Sequence, residues 1–175
     1  QTFKPVILRI STLFGISKKM RFDLALNMFL GMTITENVIK MNSSGTAWRP
    51  HVHLDDVVEA FIRSINYDNK KLEIINVGSN KNNYQMITLA KKIKSLSSGL
   101  KIEFLEKHDP KNVFSDKLVK YGKDKRTYKV SFNKINKIFK NYKTKSVEDS
   151  LKKDFIFLKK MKIKKKIFLN TKFYR

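Results

Sequence analysis

The run from Thr46 to Val57 holds the residue types in this chain that are best suited to chemistry. Arg49 stands just before a short hydrophobic stretch, and that stretch is followed at once by Asp55 and Asp56. A planar guanidinium can hold two phosphate oxygens together, so Arg49 is a candidate ligand for a diphosphate. The alternative for the same residue is a salt bridge or a clamp on main-chain carbonyls that holds the loop in place.

Arginine is scarce in this strongly basic chain, which makes the position of each one informative. Of the 38 basic residues only six are arginine, at positions 9, 21, 49, 63, 126 and 175, and the formal net charge is +23. That charge raises the hypothesis of a nucleic-acid-binding protein. However, lysine is abundant together with asparagine and isoleucine, which is typical of biased nucleotide composition, whereas a phosphate-binding surface usually keeps its arginines. The chain also has no zinc-finger spacing, heptad repeat or aromatic RNA-binding signature, so nucleic-acid binding is the weaker hypothesis.

Composition excludes several kinds of site. There is no cysteine, so disulfides, thiolate metal sites and a cysteine nucleophile are excluded. No apolar stretch approaches the roughly 20 residues of a membrane span. Neither His51 nor His53 has a partner at metal-ligand spacing, and we predict no metal site; His53 is expected to be structural, beside the Asp55–Asp56 helix start. Because the chain starts at Gln1 and soon enters an apolar strand, we expect it to continue something longer.

Hydrophobic periodicity predicts alternating strands and helices. Asp55 or Asp56 is expected to cap one helix, Ser146 precedes another, and the lysine-rich residues 107–127 are expected to form a loop. The predicted strands are 5–10, 38–41, 73–77 and 101–105, and the predicted helices are 21–32, 55–65, 86–96, 132–139 and 146–158. The strands 5–10 and 73–77 have the continuous apolar character of strands buried on both faces, but two are too few for an independent parallel sheet. The prediction is a partial α/β fold.

Six segments, taken in order, resemble the C-terminal part of the extended short-chain dehydrogenase/reductases, specifically the NAD-dependent nucleotide-sugar epimerase/dehydratase family. Leu8 to Gly15 (LRISTLFG) resembles the family's L-R-x-x-N-V-Y-G-P, and Trp48 to Val57 (WRPHVHLDDV) resembles R-[DP]-[FY]-[IV]-H-V-x-D-V. The other segments are Asn27, the strand INVGS at 75–79, RTYKVSFNKI at 126–135 and SVEDSL at 146–151.

The resemblance implies a fold, a cofactor and a substrate class. The fold would be α/β: the C-terminal portion of a Rossmann-like doubly wound domain, with a small mixed α/β substrate-binding subdomain. Residues 1–158 would form this part of the domain, and residues 159–175 would be a basic C-terminal tail. The cofactor would be NAD or NADP, the substrate a nucleotide sugar, the location cytoplasmic, and a homodimer would be possible.

The resemblance also implies roles for individual residues. The main chain around Ser11 would run past the nicotinamide end of the cofactor. The implied substrate-binding residues are Thr12, Asn27, Met41 and Arg49, with Lys123 or Arg126 in place of the family's second phosphate arginine. Each has a structural alternative: a strand-end hydroxyl in a turn for Thr12, a polar position on the solvated face of a helix for Asn27, and core filling for Met41.

Two catalytic elements of the family are absent from this sequence. The glycines stand alone, so there is no G-x-x-G-x-x-G turn to hold a pyrophosphate. The family's Tyr-x-x-x-Lys belongs on a helix that would lie upstream of residue 1, and the pairs at 67/71 and 121/125 fit only by letter. An intact family member would be an enzyme of hydride chemistry, whereas this chain alone is predicted to be inactive, with no catalytic residue. The alternative is a non-catalytic remnant or interaction module of the same fold.

Overall fold

The computed structural model describes residues 4–68, 70–104 and 126–163. Seven strands are present in this part of the chain: β1 (Val6–Ile10), β2 (Thr12–Phe14), β3 (Val38–Met41), β4 (Trp48–His53), β5 (Glu73–Val77), β6 (Asn83–Gln85) and β7 (Lys101–Phe104). Five α-helices accompany them: α1 (Ala25–Glu36), α2 (Leu54–Ile65), α3 (Met86–Lys94), α4 (Asn133–Ile138) and α5 (Val147–Lys160). A short 3₁₀ turn, Asn80–Asn82, precedes β6.

The strands form three small sheets, and most of the pairing is parallel. β1 pairs with β5, β2 pairs with β4, and β3 pairs with β7, all in parallel, while β6 adds to β4 in the antiparallel direction. Helices connect the parallel partners, as such crossovers require. The partial α/β fold expected from the sequence is confirmed.

Two hydrophobic clusters hold these elements together. The larger cluster lies where α1, α3 and α5 meet β3, and its fully buried members include Leu26, Leu30, Ile39, Leu89 and Leu151. The smaller cluster joins the β1–β5 pair to α2 and α4 through buried apolar side chains: Val52, Val57, Ala60, Ile75, Val77, Phe132, Ile135, Phe139 and Tyr142. The short strand β2 and the long strand β4 run between the two clusters.

The predicted burial of the first strand on both faces is wrong. Val6 and Leu8 of β1 pack against the smaller cluster, but Ile7 is 45% exposed and Ile10 is 42% exposed. The reason is that β1 pairs only with β5 among the described residues, so its second edge and its outer face have no covering element there. The continuous apolar run therefore correctly predicts a strand and overstates its burial in this chain.

The start of α2 also differs from the expectation. The helix begins at Leu54, and its cap is His53, whose imidazole Nδ1 accepts a hydrogen bond of 3.2 Å from the Asp55 main-chain N–H. Asp55 and Asp56 lie in the first turn instead, where negative charge suits the helix dipole. His53 is thus structural and lies beside these aspartates, as predicted. In α5 the expected cap is confirmed, because Ser146 Oγ accepts from the Asp149 N–H at 3.1 Å.

Helix α1 begins four residues later than predicted and ends at Glu36. The residues before it form turns in which the Leu24 N–H donates to the Arg21 carbonyl at 3.4 Å. Among the described residues, no helix is long and apolar enough to cross a membrane.

Candidate functional site

A cleft of about 540 Å³ opens at the carboxyl end of β1. Its lining comes from the β1–β2 segment, the loop before α1, the strands β4 and β5, and the segment 128–130: Arg9, Ile10, Ser11, Thr12, Leu13, Arg21, Leu24, Pro50, Asn76, Tyr128 and Val130. Ligands of open parallel sheets bind in the crevice outside the carboxyl ends of the strands. The position of the cleft alone therefore makes it the candidate site.

Ser11 and Thr12 lie in this lining because the chain changes sheets between them. Ser11 ends the run along β5, since its N–H and its Oγ both donate to the Val77 carbonyl, at 3.3 and 2.8 Å. Thr12 begins β2 and pairs with His51 of β4. The switch from one sheet to the next leaves both residues at the mouth of the cleft, so the structure brings together these two predicted site residues.

Arg9 and Arg21 place two guanidinium groups in the cleft lining. Arg9 is next to last in β1, in register with Asn76 of β5, and its side chain is exposed. Arg21 lies in the loop before α1 and bonds to the Asp23 carboxylate at 3.1 and 2.6 Å. Neither arginine has a predicted role from the sequence. For Arg9, the sequence feature that could have indicated a role is its position near the carboxyl end of a predicted parallel strand.

Arg49 acts as a clamp on the main chain. Its Nη1 donates to the Trp48 carbonyl at 2.7 Å and to the Arg126 carbonyl, and its guanidinium lies 4.9 Å from the centre of the Tyr128 ring. Arg49 is not among the residues that line the cleft, whereas Tyr128 is. The geometry matches the carbonyl clamp, which is one of the two alternatives that the sequence left open for Arg49. Arg49 contacts Tyr128, and Tyr128 in turn lines the cleft.

The segment 126–130 is held along β4 by contacts on either side of this arginine. The Tyr128 N–H donates to the Trp48 carbonyl at 3.2 Å, and the Trp48 N–H donates to Thr127 Oγ1 at 3.1 Å. The Lys129 ammonium lies 3.7 Å from the Trp48 ring centre, a cation–π contact. Tyr128, a residue with no assigned role at the sequence level, is thereby fixed as one wall of the cleft.

His51 lies beneath the cleft, fully buried in β4. Its Nδ1 is 3.1 Å from the Arg49 carbonyl, which can only accept, so Nδ1 carries the proton. Burial lowers the pKa of His51 from 6.5 to about 4. The imidazole is therefore neutral near pH 7, so His51 places no buried charge in β4.

His53 joins β4 to the two helices that flank it. Besides capping α2, its ring meets Phe14 edge-on at 5.2 Å, and its Nε2 lies 3.6 Å from the buried Asp154 carboxylate of α5. Asp56 accepts from the Lys145 N–H at 3.1 Å, and burial raises the pKa of its carboxyl. These contacts lock the ends of β4, α2 and α5 together below the site.

Three further predicted site residues, Asn27, Met41 and Arg126, are not among those that line the cleft. Asn27 is buried, and its amide bonds to both ends of the loop between β2 and α1, because Oδ1 accepts from the Gly15 N–H at 3.1 Å and Nδ2 donates to the Arg21 carbonyl at 3.0 Å. It thus holds the loop that carries Arg21 and does not lie on a solvated helix face. Met41 is a buried member of the larger core cluster, in agreement with its core-filling alternative. Arg126 offers its carbonyl to Arg49, and Lys123, like most of the predicted loop 107–127, lies outside the described residues.

A second groove, of about 440 Å³, runs along the start of α5 between Lys145 and Ile156. It lies on one helix surface, and neither a strand end nor any predicted site residue contributes to it. The cleft at β1 is the better candidate.

The first part of the chain is similar to a known protein family. Residues 1–78 match the sequence profile of the NAD dependent epimerase/dehydratase family. The match covers the first 78 of the 175 residues. They include β1, β2, β4 and the whole of α2, so they supply most of the cleft described above.

Solved structures of nucleotide-sugar enzymes have the same fold. The UDP-N-acetylglucosamine 4-epimerase of Methanobrevibacter ruminantium, in complex with UDP-N-acetylmuramic acid, is 16% identical, with a TM-score of 0.66 over 89% of this chain and 46% of that chain. A variant of the UDP-glucuronic acid 4-epimerase of Bacillus cereus, with a fluorinated substrate analogue and NAD, is 20% identical, with a TM-score of 0.69 over 89% of this chain and 45% of that chain. The dTDP-glucose 4,6-dehydratase of Bacillus anthracis, in complex with NAD, is 18% identical, with a TM-score of 0.65 over 89% of this chain and 44% of that chain.

These likenesses establish the Rossmann-like α/β fold of the described chain. The chain spans somewhat less than half of the length of the solved structures it matches. The ligands named for those proteins were bound by chains about twice as long.

Proposed function

We propose that this chain is the substrate-binding part of an NAD(P)-dependent nucleotide-sugar epimerase or dehydratase. The observation that carries the proposal is the cleft at the carboxyl end of β1, whose lining contains Arg9 and Arg21 together with the hydroxyl-bearing residues Ser11 and Thr12. Cations beside hydroxyl groups suit a ligand that combines a diphosphate with a sugar. The family match of residues 1–78 supports the same substrate class.

Five residues of the lining have a role in this proposal. Arg9 and Arg21 offset the charge of the diphosphate, and the Thr12 hydroxyl bonds to the sugar. Ser11 has its hydroxyl engaged with the Val77 carbonyl, so it contributes its position and its backbone beside the nicotinamide end of the cofactor. Tyr128 gives a flat wall on which a ring can stack.

Arg49 serves mainly to position Tyr128. Its Nη1 is engaged with two carbonyls, and its guanidinium stacks on the tyrosine ring. A direct contact between Arg49 and the diphosphate, as the family resemblance implies, stays a prediction. Contacts of Asn27, Met41, Lys123 and Arg126 with the substrate, and a homodimer, stay predictions as well.

The residues of this chain fit one end of the cofactor. Ser11 would hold the nicotinamide end of the cofactor, which would supply hydride chemistry for the sugar bound in the cleft. The other end of NAD needs a glycine-rich turn for its pyrophosphate, and the six glycines of this sequence form no such turn. In this proposal the chain orients the sugar, and the pyrophosphate of NAD is held by residues that do not belong to this sequence.

The binding experiment is a calorimetric titration of UDP-glucuronic acid into the chain at physiological salt, with UDP and inorganic pyrophosphate as competitors. We expect saturable one-to-one binding that Arg9→Gln and Arg21→Gln each weaken by about tenfold, since each removes a charge-assisted contact worth about 1.5 kcal/mol. Arg63→Gln is the matched control, because Arg63 bonds to Glu59 on α2 and lies away from the cleft. Equal effects of all three substitutions would mean binding by general positive charge and would refute the proposal.

The activity of the chain gives an independent test. We expect no NAD-dependent conversion of any nucleotide sugar by this chain alone, because its sequence lacks the pyrophosphate turn. Turnover measured by NADH absorbance or by product chromatography would contradict this.

A further inference from the structure

The outer surface of helix α5 combines lysines with large apolar side chains. Ile156 and Phe157 are each 47% exposed, and Met161, which ends the helix as its cap, is 62% exposed. The lysines close to them on the helix are exposed as well. We call this surface the basic face of α5, and it consists of Lys152, Lys153, Ile156, Phe157, Lys160 and Met161.

The spacing along the helix interleaves the charges with the apolar side chains. Residues four apart lie next to each other on a helix surface. Lys152 and Lys160 therefore flank Ile156 on its two sides, and Lys153 lies one turn before Phe157. The opposite side of the helix is buried in the larger core cluster through Val147, Leu151, Phe155 and Leu158. The apolar residues of the basic face are thus separate from the core, and each stands among lysines.

Positive charge dominates this end of the chain. The acidic residues of the first helical turn precede the basic face and have partners of their own, since Glu148 pairs with Lys92 of α3 and Asp149 bonds to the helix cap. Residues 150–175 contain ten basic residues and one acidic residue, Asp154, which is 5% exposed. The basic face therefore presents lysines to a partner without an exposed carboxylate among them.

This combination favours a lipid surface over the other partners of a cationic protein. Lysine is depleted at interfaces between proteins. Surfaces that bind nucleic acids use arginine and aromatic rings on which bases stack, whereas residues 127–174 contain no arginine and two of the three apolar side chains on the face are aliphatic. Helices that lie on anionic membranes have lysines around apolar side chains, which enter the boundary between the headgroups and the acyl chains.

The sequence that follows the helix has the same composition. Residues 159–175, the predicted basic tail, contain eight basic residues, no acidic residue and seven large apolar residues. Clusters of about four to eight lysines and arginines bind anionic lipid headgroups when they lie beside an apolar segment. The structure describes this tail as far as Ile163, and the rest contributes its charge directly after the basic face in the sequence.

We propose that the basic face of α5 binds the surface of a membrane that contains anionic lipids. Its lysines contact the phosphate headgroups, and Ile156, Phe157 and Met161 enter between them. The helix lies along the membrane surface, because its other side is held in the larger core cluster. This surface contains none of the residues that line the cleft at β1, so membrane binding is independent of the nucleotide-sugar proposal.

The test is cosedimentation of the full chain with lipid vesicles at physiological salt. We expect binding to vesicles of equal parts phosphatidylcholine and phosphatidylglycerol, a steep loss of binding at high salt, and no binding to phosphatidylcholine alone. Phe157→Ser should weaken the binding at least about tenfold, since an apolar side chain that enters the membrane is lost. Phe61→Ser is the matched control, because Phe61 is 48% exposed on α2, and it should change the binding less than about twofold.

A second pair of variants tests the charges without removing an apolar side chain. Lys152→Gln combined with Lys160→Gln should weaken the binding at least about tenfold, because both charges face the headgroups. Lys137→Gln combined with Lys140→Gln removes the same charge from exposed positions in and just after α4, and it should have less than about a threefold effect. Circular dichroism checks that all four variants are folded.

Insertion of the apolar side chains is measured separately by fluorescence. On anionic vesicles the emission of Phe157→Trp should move to shorter wavelength and should be quenched by lipids with brominated chains, whereas Phe61→Trp should show neither change. Trp48 is common to both variants, so their difference reports the new side chain.

Equal effects within either matched pair of variants would overturn the proposal, since binding would then depend on net charge alone. Binding to neutral vesicles as strong as that to anionic ones would also overturn it. Binding of single-stranded RNA at physiological salt without any binding of vesicles would assign the basic face to nucleic acid. None of these readouts involves a nucleotide sugar, so a failure here is distinct from a failure of the proposed function.

Discussion

Replacement of the buried His51 by asparagine should remove a specific part of the acid sensitivity of this protein. The side chain is fully buried in β4, and burial lowers its pKa to about 4 in the folded state, against 6.5 when the chain is unfolded. Between these two pH values the unfolded state binds a proton that the folded state does not. Stability contributed by the neutral imidazole is therefore complete above pH 6.5 and is lost as the pH falls towards 4.

The magnitude follows from the two pKa values. Each pH unit in this window changes the free energy of unfolding by up to about 1.4 kcal/mol, so the group accounts for about 3 kcal/mol between pH 7.5 and pH 4. Asparagine does not titrate, and its amide can replace the Nδ1–H that bonds to the Arg49 carbonyl. The absolute stability of the variant will differ because of its smaller volume, but its pH dependence will lack this contribution.

The assay is urea unfolding of both proteins, followed by circular dichroism at half-unit steps from pH 7.5 to pH 4. The difference in unfolding free energy between the two should shrink or reverse by about 3 kcal/mol over that range, since the other titrating groups are common to both. Parallel curves would refute the argument that the imidazole is buried and neutral. A near-ultraviolet spectrum at pH 7.5 checks that the variant is folded.

Three further substitutions and one control test how the site is held. Gly78→Ala should cost about 3 kcal/mol by thermal unfolding, since a Cβ there meets the Phe132 ring at 2.6 Å and the backbone φ is +154°. Gly99→Ala is the control and should cost about 1 kcal/mol, because φ there is +71° but a Cβ meets Asn37 Nδ2 at an ordinary contact distance of 3.6 Å. Asn27→Leu should lower stability by about 2–4 kcal/mol in urea, because a main-chain N–H and a carbonyl lose their partner, and an unchanged midpoint would contradict this. Arg49→Lys should lower the free energy of unfolding by about 1–2 kcal/mol. It should weaken the binding of UDP-glucuronic acid only to the extent that the Tyr128 ring is displaced. Complete loss of binding in a fully folded variant would favour a direct contact between Arg49 and the diphosphate.

The sequence predicts most of the secondary structure because hydrophobic periodicity is local. The strand 38–41 and the helices beginning at Met86 and Val147 lie where the pattern predicts them. The short strand β6 could not be predicted, since its residues pair with β4 through contacts that are distant in sequence. His53 as the cap of α2 was missed because aspartate is the commoner cap, and only the fold shows the strand leading directly into the helix.

The candidate site is predicted less completely than the fold. Ser11 and Thr12 are at the cleft because they follow a strand that the sequence identifies. Arg49 is conspicuous in the sequence, but its hydrogen-bond partners are carbonyls, one of them from a segment 77 residues away, and no local pattern can indicate such a partner. Arg9 and Arg21 enter the site through the geometry of β1 and of the loop before α1.

The account rests on the claim that the cleft at β1 is the nucleotide-sugar site. Amide chemical shifts of the isotope-labelled chain, recorded during titration with UDP-glucuronic acid, test this claim directly. We predict saturable shifts that concentrate on residues 9–13, Arg21 and 128–130, around the cleft. Shifts confined to the groove along α5 between Lys145 and Ile156, or spread evenly over the lysines, would contradict the account.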